Sequence, residues 1–282
     1  IDRLLQGIGE RLALADSVEI TLESNPGSAE AGKFASFRAA GVNRLSLGVQ
    51  SFHDSSLRAL GRVHDSRQAL DAVAAARSAG FNNLNLDLMH GLPGQGVEEG
   101  LGDLRQALAL APEHLSWYQL TIEANTRFHR APPLLPVENC LATLEDEGEA
   151  MLDAGGFQRY EVSAYARGEH SCRHNLTYWH FGDYLALGAG AHGKITRPDG
   201  DILRYAKTRQ PEAYLDAGPG QHTCRQHTVT ARDLPGEFML NALRLQAGVP
   251  VERFGAATGL PLASIQTTVD ALIAEGLLAN SP

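Results

Sequence analysis

Two carboxylates stand at the ends of short β-rich runs. Glu23 follows 18–22 (VEITL), and Asp87 lies within 83–89 (NLNLDLM). Gln50 closes a run between them, 44–49 (RLSLGV), and Arg62 follows in the next loop and helix. Carboxylates at strand ends accept hydrogen bonds from ribose hydroxyls or an ammonium group. An arginine fork pairs with a ligand carboxylate. Together the four suit a zwitterionic ligand that contains ribose. The same spacing also allows Glu23 and Asp87 simply to pair with neighbouring Lys or Arg for stability, and the residues alone leave both readings open.

The elements that must position these groups alternate regularly. The run 18–22 closes on Asn25-Pro26-Gly27, a turn signal, and a helical pattern over 29–40 stops at Gly41. After the run 44–49 come a short helix over 54–61, with Asp54 as its N-cap, and a longer one over 64–79. The run 83–89 leads to Gly91-Leu92-Pro93-Gly94, a helix over 97–110, a strand over 114–120 (HLSWYQL), a helix over 138–154 and a strand-like run over 158–163. Strands of this length alternating with helices imply right-handed βαβ units and a parallel sheet. Repetition of the unit favours a barrel or part of one, with ligands at the C-terminal ends of the strands. That rim collects Glu23, Asn25, Gln50, Asp87, His90 and Thr121. His90, in HGLPG, reads better as a structural histidine beside the site.

Later the pattern changes. The stretch 171–184 is rich in aromatic, His and Asn residues, Gly188–Gly193 (GAGAHG) follows, and 211–222 reads as connecting structure. Helical segments are expected over 237–245, 251–257 and 262–275. The last two resemble a helix-turn-helix, and Gly276-Leu277-Leu278 is positioned to start a wing. A boundary near 223–234 therefore divides the chain into 1–222 and a small C-terminal domain, 223–282.

Composition narrows the function classes. The 282 residues carry a net charge of −9, which gives no basic footprint for nucleic acid and no attraction to an anionic membrane. The segment 262–275 carries no Lys or Arg, so its helix-turn-helix pattern lacks the phosphate contacts DNA binding needs. No apolar run approaches the roughly 20 residues of a membrane-spanning helix. The three cysteines, Cys140, Cys172 and Cys224, are scattered and form no C-x-x-C pair; they fit a reducing cytoplasm and supply no metal site of their own.

Several long strings then identify a family resemblance. Glu23-Ser24-Asn25-Pro26, the run from Asn43 to Phe52 (NRLSLGVQSF), Leu60-Gly61-Arg62, and the run from Asn85 to Gln95 (NLDLMHGLPGQ) occur in that order. With the run from Leu115 to Glu123 (LSWYQLTIE) and Tyr160-Glu161-Val162-Ser163, they resemble the radical S-adenosylmethionine proteins of the oxygen-independent coproporphyrinogen-oxidase-like family, over nearly the whole chain. The resemblance implies a radical-S-adenosylmethionine (β/α) barrel that binds S-adenosylmethionine beside a 4Fe-4S cluster held by a C-x-x-x-C-x-x-C motif. It matches Glu23, Gln50, Arg62 and Asp87 to nucleoside- and amino-acid-binding positions, and Thr121 to a backbone-contact position. It also brings the glycine stretch with His192 toward the nucleoside. Glycines there permit close backbone approach.

A second string, His174-Asn175-Leu176-Thr177-Tyr178-Trp179, is similar to the mark of the family's heme-chaperone branch. Histidine ligates heme iron, and Tyr and Trp stack on or edge a porphyrin. The alternative is that His174 and Asn175 cap a helix while Trp179 fills core. The cluster motif and a Gly-rich segment expected ahead of Glu23 do not occur in this chain. The fold expected is therefore an incomplete barrel with parallel strands, plus a small, mainly helical, winged-helix-like C-terminal domain. The chain alone is not expected to cleave S-adenosylmethionine reductively. The parent is expected to bind the cluster, S-adenosylmethionine and heme in the cytoplasm, and to deliver heme to acceptor proteins. The rivals are an oxygen-independent coproporphyrinogen III oxidase, a helix-turn-helix regulator and an unrelated barrel lyase.

Overall fold

The computed structural model describes residues 1–27 and 31–279. The chain divides into two compact units, Ile1–Cys172 and Arg173–Pro282. The expected boundary at 222/223 falls inside the second unit, where it stands as a proposed subdivision.

The first unit opens with helix α1 (Asp2–Gly9) and strand β1 (Thr21–Ser24). Three repeats of the same plan follow. They run α2 (Phe34–Ala39) and β2 (Arg44–Gln50); α3 (Asp54–Leu60), α4 (Ser66–Ser78) and β3 (Leu84–His90); then α5 (Val97–Ala109) and β4 (His114–Gln119). A short α6 (Arg127–Arg130) and a long α7 (Glu138–Ala154) lead to β5 (Gln158–Glu161) and β6 (Ala164–Ala166). The six strands form one sheet in the order β1-β2-β3-β4-β6-β5. The first four run parallel, while β6 is antiparallel to both β4 and β5. No closed barrel forms among the described residues. The single strand expected over 158–163 is a hairpin, because the chain reverses between Glu161 and Ala164.

Local chemistry sets the helix starts. Asp65 caps α4 by accepting from the Gln68 N–H while the Gln68 side chain accepts from the Asp65 N–H. The N-cap of α3 is His53 rather than Asp54, whose carboxylate instead accepts from the Ser66 N–H at 2.9 Å and ties α3 to α4. Part of the helix expected over 29–40 lies outside the described residues, and α2 covers the rest.

Strand alternation gives the sheet two chemically distinct faces. Leu45, Leu47 and Val49 on β2, Leu84, Leu86 and Leu88 on β3, and Leu115 and Trp117 on β4 point into one apolar core with Phe34, Val73, Leu104 and Leu144. The intervening positions, Arg44 and Ser46, Asn85 and Asp87, His114, Ser116 and Tyr118, occupy the other face. Where α5 and α7 pack, the fit is tight. A Cβ on Gly100 of α5 would stand 2.7 Å from Leu144 Cδ2 of α7.

The second unit contains α8 (Arg173–Trp179), a three-stranded antiparallel sheet β7 (His192–Thr196), β8 (Ile202–Lys207) and β9 (Thr223–Thr228), and α9 (Pro211–Leu215) between β8 and β9. Helices α10 (Leu234–Ala242), α11 (Glu252–Thr258) and α12 (Gln266–Ala274) follow. Phe181, Ile202, Phe238 and Phe254 centre its core. No strand follows α12 among the described residues, and the last three positions of the expected wing region lie outside them.

Candidate functional site

Asp87 lies at the centre of the polar face. Asn85, two residues earlier on β3 and so on the same side, donates from Nδ2 to Asp87 Oδ1 at 2.7 Å. Ser46, opposite Asn85 in the β2–β3 register, donates to Asp87 Oδ2 at 3.3 Å. Behind Asn85 the hydrogen bonds form a directional chain. The Cys172 N–H donates to the Tyr160 hydroxyl at 3.3 Å, and that hydroxyl meets His114 Nε2 at 2.8 Å. His114 Nδ1 meets Asn85 Oδ1 at 2.6 Å. Burial holds His114 well below the usual imidazole range, so it stays neutral and can donate from Nδ1 while accepting at Nε2. Each donor polarises the next toward the Asp87 carboxylate.

That carboxylate has no cationic partner among the described residues. Desolvation raises its proton affinity above the usual carboxylate range, and Glu23 across the sheet pushes it the same way; Asn85, Ser116 and Ser46 oppose the shift only as neutral donors. Two nearby carboxylates without a cation form a cradle for a positive or hydroxyl-rich group.

Gln50 reaches this cradle through a bulge. Between Leu47 and Gln50 the β2–β3 register gains a residue on β2, and Gln50 takes φ 70°. For a residue with a Cβ this left-handed backbone is strained and needs outside support. Asp103 on α5 provides it, accepting from the Phe52 N–H at 2.6 Å and from Ser51 Oγ at 2.8 Å. The Gln50 amide then accepts from the Tyr118 hydroxyl at 2.9 Å, and a Cβ at Gly48 would crowd its Nε2 at 3.1 Å. Desolvation and the neighbouring Asp87 push the Tyr118 phenol up to about 12, against the opposing charge of Arg62. Arg62 lies exposed, its Nη1 3.5 Å from Asn25 Oδ1. Glu23, Gln50, Arg62 and Asp87 are thus brought into one electrostatic neighbourhood around Tyr118.

His90 takes the structural role read for it, and Thr121 lies at the strand-end margin. His90 shares the alternation of Leu86 and Leu88, not that of Asp87, and so points into the core. Its ring lies 4.4 Å from Trp117, and desolvation lowers its pKa to about 4. Thr121 is exposed past the end of β4, its hydroxyl donating to Glu123 at 3.3 Å. The residues missed by sequence reading are Asn85, Ser46, Ser116, His114, Tyr118 and Asp103. All but Asp103 carried a usable signal, because polar residues occupy every second position of β2, β3 and β4.

In the second unit the H-N-x-x-Y-W string forms α8. His174 is exposed, and its ring meets Tyr178 edge-on at 4.7 Å, one helical turn away. Tyr178 in turn meets Tyr184 edge-on at 4.5 Å and Trp179 at 6.3 Å. Trp179 lies beneath the Arg244 guanidinium at 4.3 Å, and its indole nitrogen, shielded from solvent, has no acceptor among the described residues. His192 opens β7 in an exposed position, after Gly188 and Gly190 have turned the chain through positive φ.

Among the described residues no cysteine is in a disulfide, no group of three His, Cys, Asp or Glu side chains is placed to hold a metal ion, and no helix is long and apolar enough to cross a membrane.

Comparison with known proteins agrees with this geometry. The Radical SAM superfamily model matches residues 3–107, and the HemN C-terminal domain model matches residues 229–282. A protein of Escherichia coli (strain K12) named heme chaperone HemW is 50% identical over 277 residues, covering 98% of this chain and 72% of that protein. A protein of the same name from Haemophilus influenzae is 45% identical over 278 residues, covering 99% of this chain and 72% of its own length. The solved radical SAM enzyme coproporphyrinogen III oxidase (HemN) from Escherichia coli superposes with TM-score 0.78 at 21% identity, over 99% of this chain and 68% of that one, a likeness of fold. Over almost its whole length, then, this chain belongs to the HemW heme-chaperone family of radical SAM proteins.

Proposed function

We propose that this chain binds heme through α8 and passes it to acceptor proteins, and that it binds S-adenosylmethionine on the polar face of its six-stranded sheet. The observation that carries the heme reading is the exposed His174 at the head of a run of edge-to-face rings, Tyr178 and Tyr184, with Trp179 alongside. An imidazole ligates iron, and aromatic edges suit a flat macrocycle. Three cysteines without a disulfide among the described residues fit work in the reducing cytoplasm.

For S-adenosylmethionine the donor set fits. Asp87 and Glu23 supply acceptors for ribose hydroxyls and for an ammonium group, and Arg62 matches the amino-acid carboxylate. Gln50 fixes orientation from its supported bulge, and Thr121 is a proposed contact at the margin. A positive ligand would offset the desolvation, and the smaller Glu23 repulsion, that raise Asp87. The 4Fe-4S cluster of radical SAM proteins does not fit the residues described here, since no ligand cluster exists among them. In this family the bound pair supplies radical or redox chemistry. The residues of this chain bind, orient and shield the nucleoside. Residues 223–282 are proposed as a small packing domain and not a DNA reader, because α12 carries no Lys or Arg.

Titrating the purified chain with ferric heme tests the reading. The expected result is a saturable Soret band that shifts, with weaker binding, in His174→Ala. Identical spectra and affinity in a folded His174→Ala protein would return His174 to a structural role.

A further inference from the structure

A second polar cavity lies wholly within the three-stranded sheet's unit, and it is basic. Its volume is about 270 Å³, and its lining includes Tyr184, His192, Arg204, Arg225, His227 and Glu237. The strand register explains the charge. His192, Ala206 and Arg225 are directly paired across the three strands, and Lys194, Arg204 and His227 form the adjacent row. Residues paired in this way share a face, so one side of a small sheet carries five basic side chains.

Some of that charge is already balanced. Lys194 is 2% exposed, donates to Asp183 at 2.9 Å and to the Phe181 carbonyl at 3.0 Å, and lies outside the cavity lining. Arg204 donates from Nε to Glu237 at 2.9 Å and from Nη1 to the Tyr184 hydroxyl. Glu237 is the only carboxylate in the lining, and Arg204 already engages it. Arg225, His227 and His192 have no carboxylate partner among the described residues. A guanidinium with no carboxylate partner among the described residues, lining one cavity with two imidazoles on a chain of net charge −9, is a local reversal of sign. It fits an anion, and above all a carboxylate, whose two oxygens match the guanidinium fork.

Tyr184 connects this cavity to α8. It lines the cavity, accepts from Arg204 and meets Tyr178 edge-on at 4.5 Å, and Tyr178 meets His174 at 4.7 Å. The iron-ligand candidate and the anion cavity therefore lie two ring contacts apart. The cavity falls below the roughly 300–1,000 Å³ of sites that enclose a whole drug-sized ligand, yet it exceeds a water's share of about 30 Å³ several-fold. That volume suits a side arm of the ligand and not its ring system.

We propose that the Arg225, His227 and His192 cavity is a carboxylate subsite that holds a propionate arm of the macrocycle whose iron His174 ligates. The proposal rests on the heme reading above and adds a second anchor to it. Two anchors would fix the rotation of the ring about the iron, which one axial ligand leaves free.

The test compares ferric heme with its dimethyl ester, which keeps the iron and ring but lacks the carboxylates. Soret titrations use the whole chain and Arg225→Gln, with His227→Gln as a second variant. Both substituted side chains are exposed strand positions, and a thermal melt checks folding. The expected result is that the wild-type chain binds heme roughly tenfold tighter than the diester, the effect of one charge-assisted pair. Arg225→Gln should lose most of that preference, leave diester affinity unchanged and keep the His174-dependent Soret position. Equal affinity of the wild-type chain for heme and diester would overturn the subsite, as would a variant that keeps the full preference, while leaving the heme reading intact. Absence of any His174-dependent band with either compound would overturn the heme reading and the subsite with it.

Discussion

The two sheets of this chain handle charge in opposite ways. On the polar face of the six-stranded sheet the central carboxyl is Asp87, surrounded by an amide and hydroxyls, with a second carboxylate nearby and no ion-paired cation among the described residues. On the polar face of the three-stranded sheet the shielded cations each have a carboxylate, Lys194 with Asp183 and Arg204 with Glu237, and further basic groups remain over. The first face suits a ligand bringing positive charge and hydroxyls, the second one bringing carboxylates. A charge kept without its counter-ion inside a fold costs stability, which applies to the buried Asp87, whereas Arg225, His227 and His192 are exposed. Under the proposed function, the two faces would divide the recognition of two chemically opposite ligands.

The sharpest way to break this comparison is Asp183→Ala. It leaves the Lys194 ammonium buried beside Phe181 with one carbonyl partner, and it should cost about 2 kcal/mol in chemical denaturation, the penalty of a buried charge that loses a counter-ion itself partly open to water. A loss below about 1 kcal/mol would mean that the second unit does not depend on pairing its charges.

On the other face the same kind of change should behave in reverse. Asp87→Asn should weaken S-adenosylmethionine binding by on the order of 1–3 kcal/mol, as should Arg62→Ala, read by calorimetry. The Asp87→Asn fold should lose no stability above neutral pH. Because the folded carboxyl is raised above its usual 3.8, its contribution is fully present below that value and is lost as pH rises through the raised one. Replacing it with an amide removes that loss. A lower melting temperature at pH 8 with unchanged ligand affinity would make Asp87 a structural residue.

The smallest effect concerns the core face. His90 is held neutral down to about 4 and His114 is also depressed, whereas unfolded imidazoles take up protons near 6.5. Both contribute stability that is complete above pH 6.5 and is lost as pH falls toward 4. His90→Phe should flatten this dependence by on the order of 1 kcal/mol at pH 5, measured as the shift of urea midpoint between pH 7.5 and 5. An unchanged slope would place the acid sensitivity elsewhere.

Much of this was legible in the residues. The β2 and β4 runs, the α7 helix over Glu138–Ala154 and the polar strand ends carried their own periodicity, because an alternating or apolar segment has few ways to bury itself. Glu23, Gln50, Arg62 and Asp87 were legible as a set since each lies in or just after a strand of one parallel sheet, Asp87 midway along β3. The second unit's sheet was not. Its strands HGKIT, ILRYAK and TCRQHT mix charge with small residues, and they form by pairing with one another across intervening loops, a non-local choice that local propensity does not encode. His90 shows the same limit on a smaller scale. Its position beside the rim motif came from the sequence, but which way it faces depends on the strand's phase against Trp117. The sequence by itself determined the alternation of elements, the acidic set on the parallel sheet and the aromatic string of α8. Only the tertiary structure decided that His90 serves the core, that Asp103 supports the strained Gln50, and that Arg225 and His227 stand together on one face, because strand register across long loops brings distant side chains together.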